Sequence, residues 1–340
     1  IYLDELTTLD PMKNPAFQHC EARYWLAYQG ETIVGRIAAI INHKHSEKWH
    51  EPYIRFGWYD VVDDVAVSSL LMDAVENWAV ERNLTAIHGP LGFSDLDREG
   101  MLIEGFEQLG TLATLYNYPY YPEHMNQLGF KKDTDWLEYR ITIPDTLDQR
   151  ISRAAEIVLK RNNLTMPHLH SKQELLDYAP QIFGLVNSEY SNLYGAVPLS
   201  EKEIDHYIKT YFSFVHPDYV PLILDHQNQL IAFGVTIPSL SGALQKCQGR
   251  ILPFGWWHLL KAIRSNDLAD LYLIAVKKKY QGLGVNLVLM EHVYRVFRDK
   301  NVKYVESNPE LETNINAVSY THLRAHETVL DLVCRLLLEK

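Results

Sequence analysis

The chain has 340 residues and a formal net charge of −11; this suits two domains of roughly 100–200 residues each and argues against a general nucleic-acid binder, because gripping phosphates takes a clustered surplus of Lys and Arg. Its three cysteines, Cys20, Cys247 and Cys334, lie far apart without a CxxC pair, so neither a disulfide framework nor a zinc ribbon is indicated and a reducing cytosol fits best. No apolar run reaches the roughly 18–20 residues needed to cross a bilayer, and no signal peptide is visible in a chain that begins at Ile1.

In chain order, Arg23–Tyr28 and Thr32–Ile41 read as a hairpin around Gln29-Gly30-Glu31, since apolar and β-branched residues flank a glycine turn. Tyr53–Val61 is a third strand. Val65, Leu70, Leu71, Ala74, Val75 and Trp78 then mark one face of a helix running to about Arg82, with Asp63 or Asp64 as its cap. A short strand at Thr85–His88, a helix at Tyr121–Leu128 stopped by Gly129, and a strand from Phe130 to Ile143 complete the order β-β-β-α-β-α-β. Pro144 and the polar stretch to Gln149 mark the boundary between halves, and helices at Arg150–Lys160 and Lys172–Leu193 introduce the second.

The second half repeats the plan, so internal duplication is the simplest account. Val220–Asp225 and Leu230–Pro238 form its hairpin, Leu271–Val276 its third strand, Leu283–Arg298 its helix and Val302–Glu306 its fourth strand, with another helix from Glu312. An insertion after the hairpin carries two further short helices, Leu240–Cys247 and Trp256–Ile263.

The chemistry concentrates at Val276-Lys277-Lys278-Lys279-Tyr280-Gln281-Gly282-Leu283-Gly284-Val285-Asn286, where a buried strand ends and an apolar helix starts after a glycine loop. Glycines bring backbone N–H groups close to a ligand, and a helix N-terminus adds partial positive charge, so a pyrophosphate is the natural guest. The spacing is neither GxGxxG nor GxxxxGK[ST], which disfavours dinucleotides and nucleoside triphosphates. An ordinary helix-entry turn is the plain alternative.

These residues resemble the signature of the GCN5-related N-acetyltransferase superfamily: Gln or Arg, two residues, Gly, one residue, then Gly or Ala. Gln281 and Gly284 match, and Asn286 stands where the small residue is usual. Glu312-Thr313-Asn314-Ile315-Asn316-Ala317 is similar to the family's Asn-x-x-Ala helix opening. The first half resembles the same fold through Asn117 and Leu128-Gly129-Phe130, but Asp60-Val61-Val62-Asp63-Asp64 fills its loop, where acidic side chains repel a pyrophosphate. Gly89-Pro90-Leu91-Gly92-Phe93-Ser94 marks likeness to a tandem bacterial subgroup. The resemblance implies an α/β (α+β) fold of two tandem domains, each a mixed, mostly antiparallel sheet flanked by helices: a degenerate copy at 1–145 and an acyl-CoA-binding copy at 150–318.

It further implies a cytoplasmic N-acyltransferase that moves the acyl group of acetyl-CoA or another acyl-CoA directly to an amine, on a small molecule or peptide, within a ternary complex and without a metal. A regulatory module that binds acyl-CoA without turnover is the alternative. Backbone N–H groups at Ala275 and Val276 would polarise the thioester carbonyl, residues 281–286 and Asn314 would hold the cofactor, and Glu306 at the end of the fourth strand is the expected base. The family's acid, commonly a Tyr seven residues after Asn314, falls on Thr321.

Other features read more plainly. His168 and His170 alternate as two metal ligands would, but lack a third ligand nearby, and His43, His45 and His50 occupy a polar loop. Tyr116-Asn117-Tyr118-Pro119-Tyr120-Tyr121 lines an acceptor pocket or packs an interface, Trp256-Trp257 packs the inserted helices or walls an acyl chain, and Asp95-Leu96-Asp97-Arg98-Glu99 faces water or a cationic acceptor. Ser319–Lys340 resembles a translated sequencing-adapter read-through and reads as a non-native tail, in which Val329, Leu330, Val333, Leu336 and Leu337 fit one face of a helix.

Overall fold

The computed structural model describes residues 2–212, 215–313 and 328–338. After a short N-terminal helix, α1 (Tyr2–Thr8), strand β1 (Cys20–Gln29) turns through Gly30 into β2 (Thr32–Asn42). Gly30 sits at φ +61°, a left-handed conformation that costs a residue with a Cβ about 1–2 kcal/mol. His43–Trp49 forms helix α2, not the expected polar loop, because the Asn42 side chain accepts the His45 N–H at 3.0 Å and His45 turns inward to 2% exposure. Strand β3 (Tyr53–Val61), helix α3 (Val65–Glu81) and strand β4 (Ala86–Gly89) follow, with β4 parallel to β3. Strand β5 (Met101–Glu104), helix α4 (Tyr120–Gln127) and strand β6 (Lys131–Thr142) close the first half.

The second half opens with helices α5 (Gln149–Arg161), α6 (Lys172–Glu189) and α7 (Glu201–Tyr211). Its hairpin is β7 (Leu222–Leu224) with β8 (Leu230–Pro238), followed by the inserted helices α8 (Ser241–Lys246) and α9 (Gly255–Arg264). Strand β9 (Leu268–Val276), helix α10 (Val285–Asp299), strand β10 (Tyr304–Ser307) and the short β11 (Glu310–Leu311) come next, with β10 parallel to β9. The two third strands, β3 and β9, are both nine residues long and both end in valine.

The halves share one mixed, mostly antiparallel sheet in the order β1-β2-β3-β4-β12-β6-β10-β9-β8-β7. Strand β12 (Thr328–Leu338) lies antiparallel between β4 and β6, so that stretch is strand where its apolar spacing suggested a helix face. The last strand of the first half, β6, pairs antiparallel with β10 of the second, Arg140 opposite Glu306. Helices α3 and α4 cover one face of the first half through Leu71, Val75, Trp78 and Met125. In the second half α10 buries Val285, Val288, Leu289, Val293 and Phe297, a helical spacing, against β8, β9 and β10. Phe297, 1% exposed, contributes about 1.5–3 kcal/mol by leaving water. Helices α6 and α7 pack with the opposite side of β8 and β9 through Phe183, Phe212 and Phe233.

Candidate functional site

At the end of β9 the Lys277 N–H donates to the Ile231 carbonyl at 2.8 Å and closes the ladder with β8. A short 3-10 turn at Lys278–Tyr280 leads to Gly282 and Gly284, at φ +75° and +83°. Gly284 is the N-cap of α10 and offers no side-chain hydrogen bond, so the first N–H groups of a fifteen-residue helix meet the loop without a capping side chain. A Cβ on Gly282 would meet nothing within 4 Å, whereas one on Gly284 would meet Val158 Cγ2 of α5 at 2.9 Å. Backbone conformation alone therefore demands glycine at the first position, and both conformation and close packing demand it at the second.

Gln281 Nε2 donates to the Val276 carbonyl at 2.8 Å and pins the loop to the strand it leaves. Lys277, Lys278, Lys279 and Leu283 are exposed around it. Val285 is buried in the core, so only its backbone is available to a ligand. Asn286, in the first turn of α10, has a buried Oδ1 without a protein partner. Asn314 and Thr321 lie outside the described residues.

The ladder between β9 and β10 runs only from Leu268–Tyr304 to Leu271–Ser307. Beyond it the strands part, and Tyr272 is an extra residue in the pairing of β9 with β8, a bulge of the kind that re-aims a strand beside a site. On the parted edge the Ile274 N–H donates to Tyr190 Oη at 3.2 Å, while Tyr190 donates to the Ile274 carbonyl at 2.9 Å. Strand alternation places the Val276 N–H on this same open side and the Ala275 N–H toward β8.

At the parting three acids share one face of the sheet. Asp270 and Glu306 are register partners on β9 and β10, Arg140 of β6 is opposite Glu306, and Glu138 lies two residues from Arg140 on the same face. All three acids are almost wholly buried. Burial pushes the Asp270 carboxyl up to about 7, with the Glu306 charge adding to the rise. Burial likewise pushes Glu138 up to about 7, the Thr114 hydroxyl that donates to it opposing and Glu306 and Asp270 reinforcing. Glu306 is also raised by burial, against the pull of Arg140, whose Nη1 stands 3.7 Å from its Oε1. Glu310 of β11 is raised to about 7 by burial.

Among the described residues, Glu306 Oε2, Tyr272 Oη and Asn308 Oδ1 are buried without a protein hydrogen-bond partner, and Asn308 sits at the parting, its N–H on the Leu271 carbonyl at 3.1 Å. Buried polar atoms are nearly always satisfied, so each of these has room for a further partner. No group of three His, Cys, Asp or Glu among the described residues is arranged to hold a metal ion.

The structure thus brings Glu306 together with three groups that periodicity did not select: Asp270, Glu138 and Arg140. Asp270 is an ionisable residue on the inward alternation of an otherwise apolar strand, a legible signal, whereas Glu138 and Arg140 lie on a strand rich in charged residues and carry no such signal. Glu138 and Arg140 belong to the first half, so the site is composite. The loop at Asp95–Glu99 contributes too. It lies between the halves, not in water: Val197 N–H donates to Asp95, Ser94 bonds Tyr207 at 2.6 Å, and Arg98 is close enough to oppose the burial that raises the Tyr272 phenol.

The equivalent place in the first half is filled by its own side chains. Asp64 caps α3 by accepting the Ala66 N–H at 2.9 Å. Asp63 meets His124 Nε2 at 3.2 Å, and His124 Nδ1 bonds Ser68 at 2.8 Å. The Val61 N–H donates to Tyr121, and Tyr120 donates to the Val61 carbonyl. The tyrosine run is therefore divided, with Tyr120 and Tyr121 closing this turn and Tyr116 and Tyr118 exposed.

No family model matches the chain. It is 28% identical over 331 residues to Protein YghO of Escherichia coli (strain K12), covering 93% of this chain and 84% of that protein. It is 26% identical over 288 residues to a bacterial ceramide synthase of Caulobacter vibrioides, covering 83% and 73%. Among solved structures, a GCN5-related glucosamine N-acetyltransferase region of a fungal multi-domain β-N-acetylglucosaminidase superposes with a TM-score of 0.53 at 11% identity, over 95% of this chain and 34% of that one. The chain has a GCN5-related N-acetyltransferase fold in tandem.

Proposed function

We propose that the protein is an acyl-CoA-dependent N-acyltransferase with one working cofactor site, in its second half. The observation that carries this reading is the uncapped N-terminus of α10 behind two left-handed glycines, at the end of the strand that parts from β10 beside buried carboxylates. The pyrophosphate would meet the backbone N–H groups of Gly282 and of Gly284, Val285 and Asn286, the Leu283 N–H being engaged by the Tyr280 carbonyl, and Lys277–Lys279 would face the 3′-phosphate. The acyl arm would follow the parted edge of β9 from Val276 toward Tyr272, because a thioester carbonyl held at the Val276 N–H would stand six residues, about 20 Å, from Asp270 and its register partner Glu306.

Glu306 is the base. It removes a proton from the acceptor ammonium, the freed amine nitrogen attacks the thioester carbon, the C–N bond forms, and the C–S bond breaks to release the thiolate, which takes up a proton. Burial raises the Glu306 carboxyl, a shift in the direction this traffic needs, because a proton acceptor works best with a pKa near the working pH. A ceramide is a fatty amide, so likeness to a ceramide synthase supports a long-chain amine as the acceptor.

Thiol release from acyl-CoA in the presence of amines of increasing chain length tests the reading. Release with long-chain amines, lost in Glu306→Gln, is expected. Binding of CoA without release, whatever the amine, would select the regulatory-module reading instead.

A further inference from the structure

The insertion between β8 and β9 has a surface unlike the remainder of the chain. Ile251, Leu252, Phe254, Trp256, Trp257, Leu260 and Ile263 are 38–76% exposed. On α9, Ile263, Trp256, Leu260 and Trp257 follow one another around a single face at 100° per residue, with Arg264 within it and Lys261 at its margin. The opposite face, with Gly255, His258, Leu259 and Ala262, turns toward the protein. Packing within the insertion therefore does not account for Trp256 and Trp257; the Trp256 indole N–H is tied back to the Pro253 carbonyl at 2.9 Å and its ring stays outside.

Charge separates this surface from an ordinary sticky patch. From Ser239 to Ser265 the sequence holds Lys246, Arg250, Lys261 and Arg264 and not one Asp or Glu, in a chain of net charge −11. Exposed Trp, Phe and Leu on a helix edged by Lys and Arg match the interface of an anionic bilayer, where apolar side chains enter the acyl boundary and cations meet headgroup phosphates. An acidic protein partner would satisfy the cations but not the indoles and Leu252, at 76% exposure the most exposed of these apolar side chains.

Position adds a functional sense. The insertion leaves β8 at Pro238 and returns at Leu268, with the Ser239 N–H on the Leu268 carbonyl at 3.0 Å. Asp270 is two residues further on. The glycine loop follows the other end of β9, roughly 25–30 Å away along the strand. The insertion thus stands at the carboxylate end of the site, opposite the phosphate end.

We propose that α8–α9 docks the protein on the surface of an anionic lipid bilayer, with α9 lying in the interface and the carboxylate end of the site facing the membrane. No described helix is long and apolar enough to cross a membrane, so this is a surface attachment. Delivery of a lipid amine to Glu306 rests on the acyltransfer reading above. Docking does not, and vesicle binding measures it without turnover.

The experiment is flotation of the full chain with vesicles of phosphatidylcholine alone and of equal parts phosphatidylglycerol and phosphatidylcholine. Binding to the anionic vesicles, at least about tenfold weaker on the neutral ones, is expected. The triple variant Trp256→Ala, Trp257→Ala, Leu260→Ala should lose binding while melting with the wild type, and Lys261→Glu with Arg264→Glu, which leaves the apolar face intact, should lose it too. Absence of wild-type binding, undiminished binding by both variants, or burial of the patch in a stable dimer by sedimentation velocity would overturn the proposal.

Discussion

The turn after β3 and the turn after β9 leave strands of equal length and lead into helices of similar length, yet they are finished in opposite ways. After β3, Asp64 caps the helix, Asp63 leans on His124, and Tyr120 and Tyr121 take both hydrogen-bonding groups of Val61. After β9, glycines stand in place of the acids and the helix N-terminus is left without a capping side chain. The first copy satisfies its own backbone; on the function proposed, the second keeps donors for a ligand. The closed copy is not idle, since its last strand supplies Glu138 and Arg140 to the candidate site of the open copy and its Gly89–Glu99 loop packs between the halves. On that proposed function, one half binds and the other serves as its scaffold.

The sharpest division is expected in catalysis. Glu306→Gln should lower kcat by about 10²–10⁴-fold, the usual worth of a positioned base, while CoA affinity stays within about twofold. Steady-state rates beside calorimetry check both, and a fall in affinity matching the fall in kcat would make Glu306 a binding residue.

The buried carboxyls predict a stability effect with a definite sign. Asp270 is harder to ionise in the folded chain than in the unfolded one, so its penalty is absent below about pH 4, grows through the interval to about 7, and is complete above it. A rise from 3.8 to about 7 corresponds to on the order of 4 kcal/mol, an upper value because the carboxyls interact. Asp270→Asn should therefore melt above the wild type at pH 8 and with it at pH 4. A variant destabilised at pH 8 would show that the ionised carboxylate is held by partners and not merely buried.

In the closed copy the effects are smaller. Asp64→Ala removes a helix cap and should cost about 0.5–2 kcal/mol without creating a second CoA site, because Tyr120 and Tyr121 still hold Val61; denaturant unfolding and CoA stoichiometry measure the two halves of that statement. A chain ending at residue 318 loses β12 from between β4 and β6, including its pairing opposite Glu138 and Arg140, and should melt below the parent; CoA affinity should move least, within about twofold, since the glycine loop lies across the sheet on β9.

Much of this was readable before the fold was known. The hairpins, β3, α3, β8, α9 and α10 follow from periodicity and turn residues, and the glycine loop from its place between strand and helix. Pairing across the halves was not readable, because alternation along β6 places Glu138 and Arg140 on a face without saying which strand lies beside them. Helix α2 was hidden by its polar sequence and by a cap, Asn42, that also reads as a strand end. The exposure of Trp256 and Trp257 was hidden for the converse reason: an apolar helical stripe implies a partner, and nothing in the local pattern states whether that partner is the protein's own core.

Calorimetric titration of CoA into the full chain, the Gly284→Asp variant and the Gly284→Asn variant tests the division between the copies most directly. Asp and Asn are near-isosteric and meet the same strain at φ +83° and the same contact with Val158, so their difference reports chiefly the negative charge that Asp63 and Asp64 bring to the first copy's loop. One site in the parent, retained in part by Asn and weakened at least about tenfold further by Asp, is the expected result. Two equivalent sites in the parent, or equal affinity in the Asp and Asn variants, would contradict it.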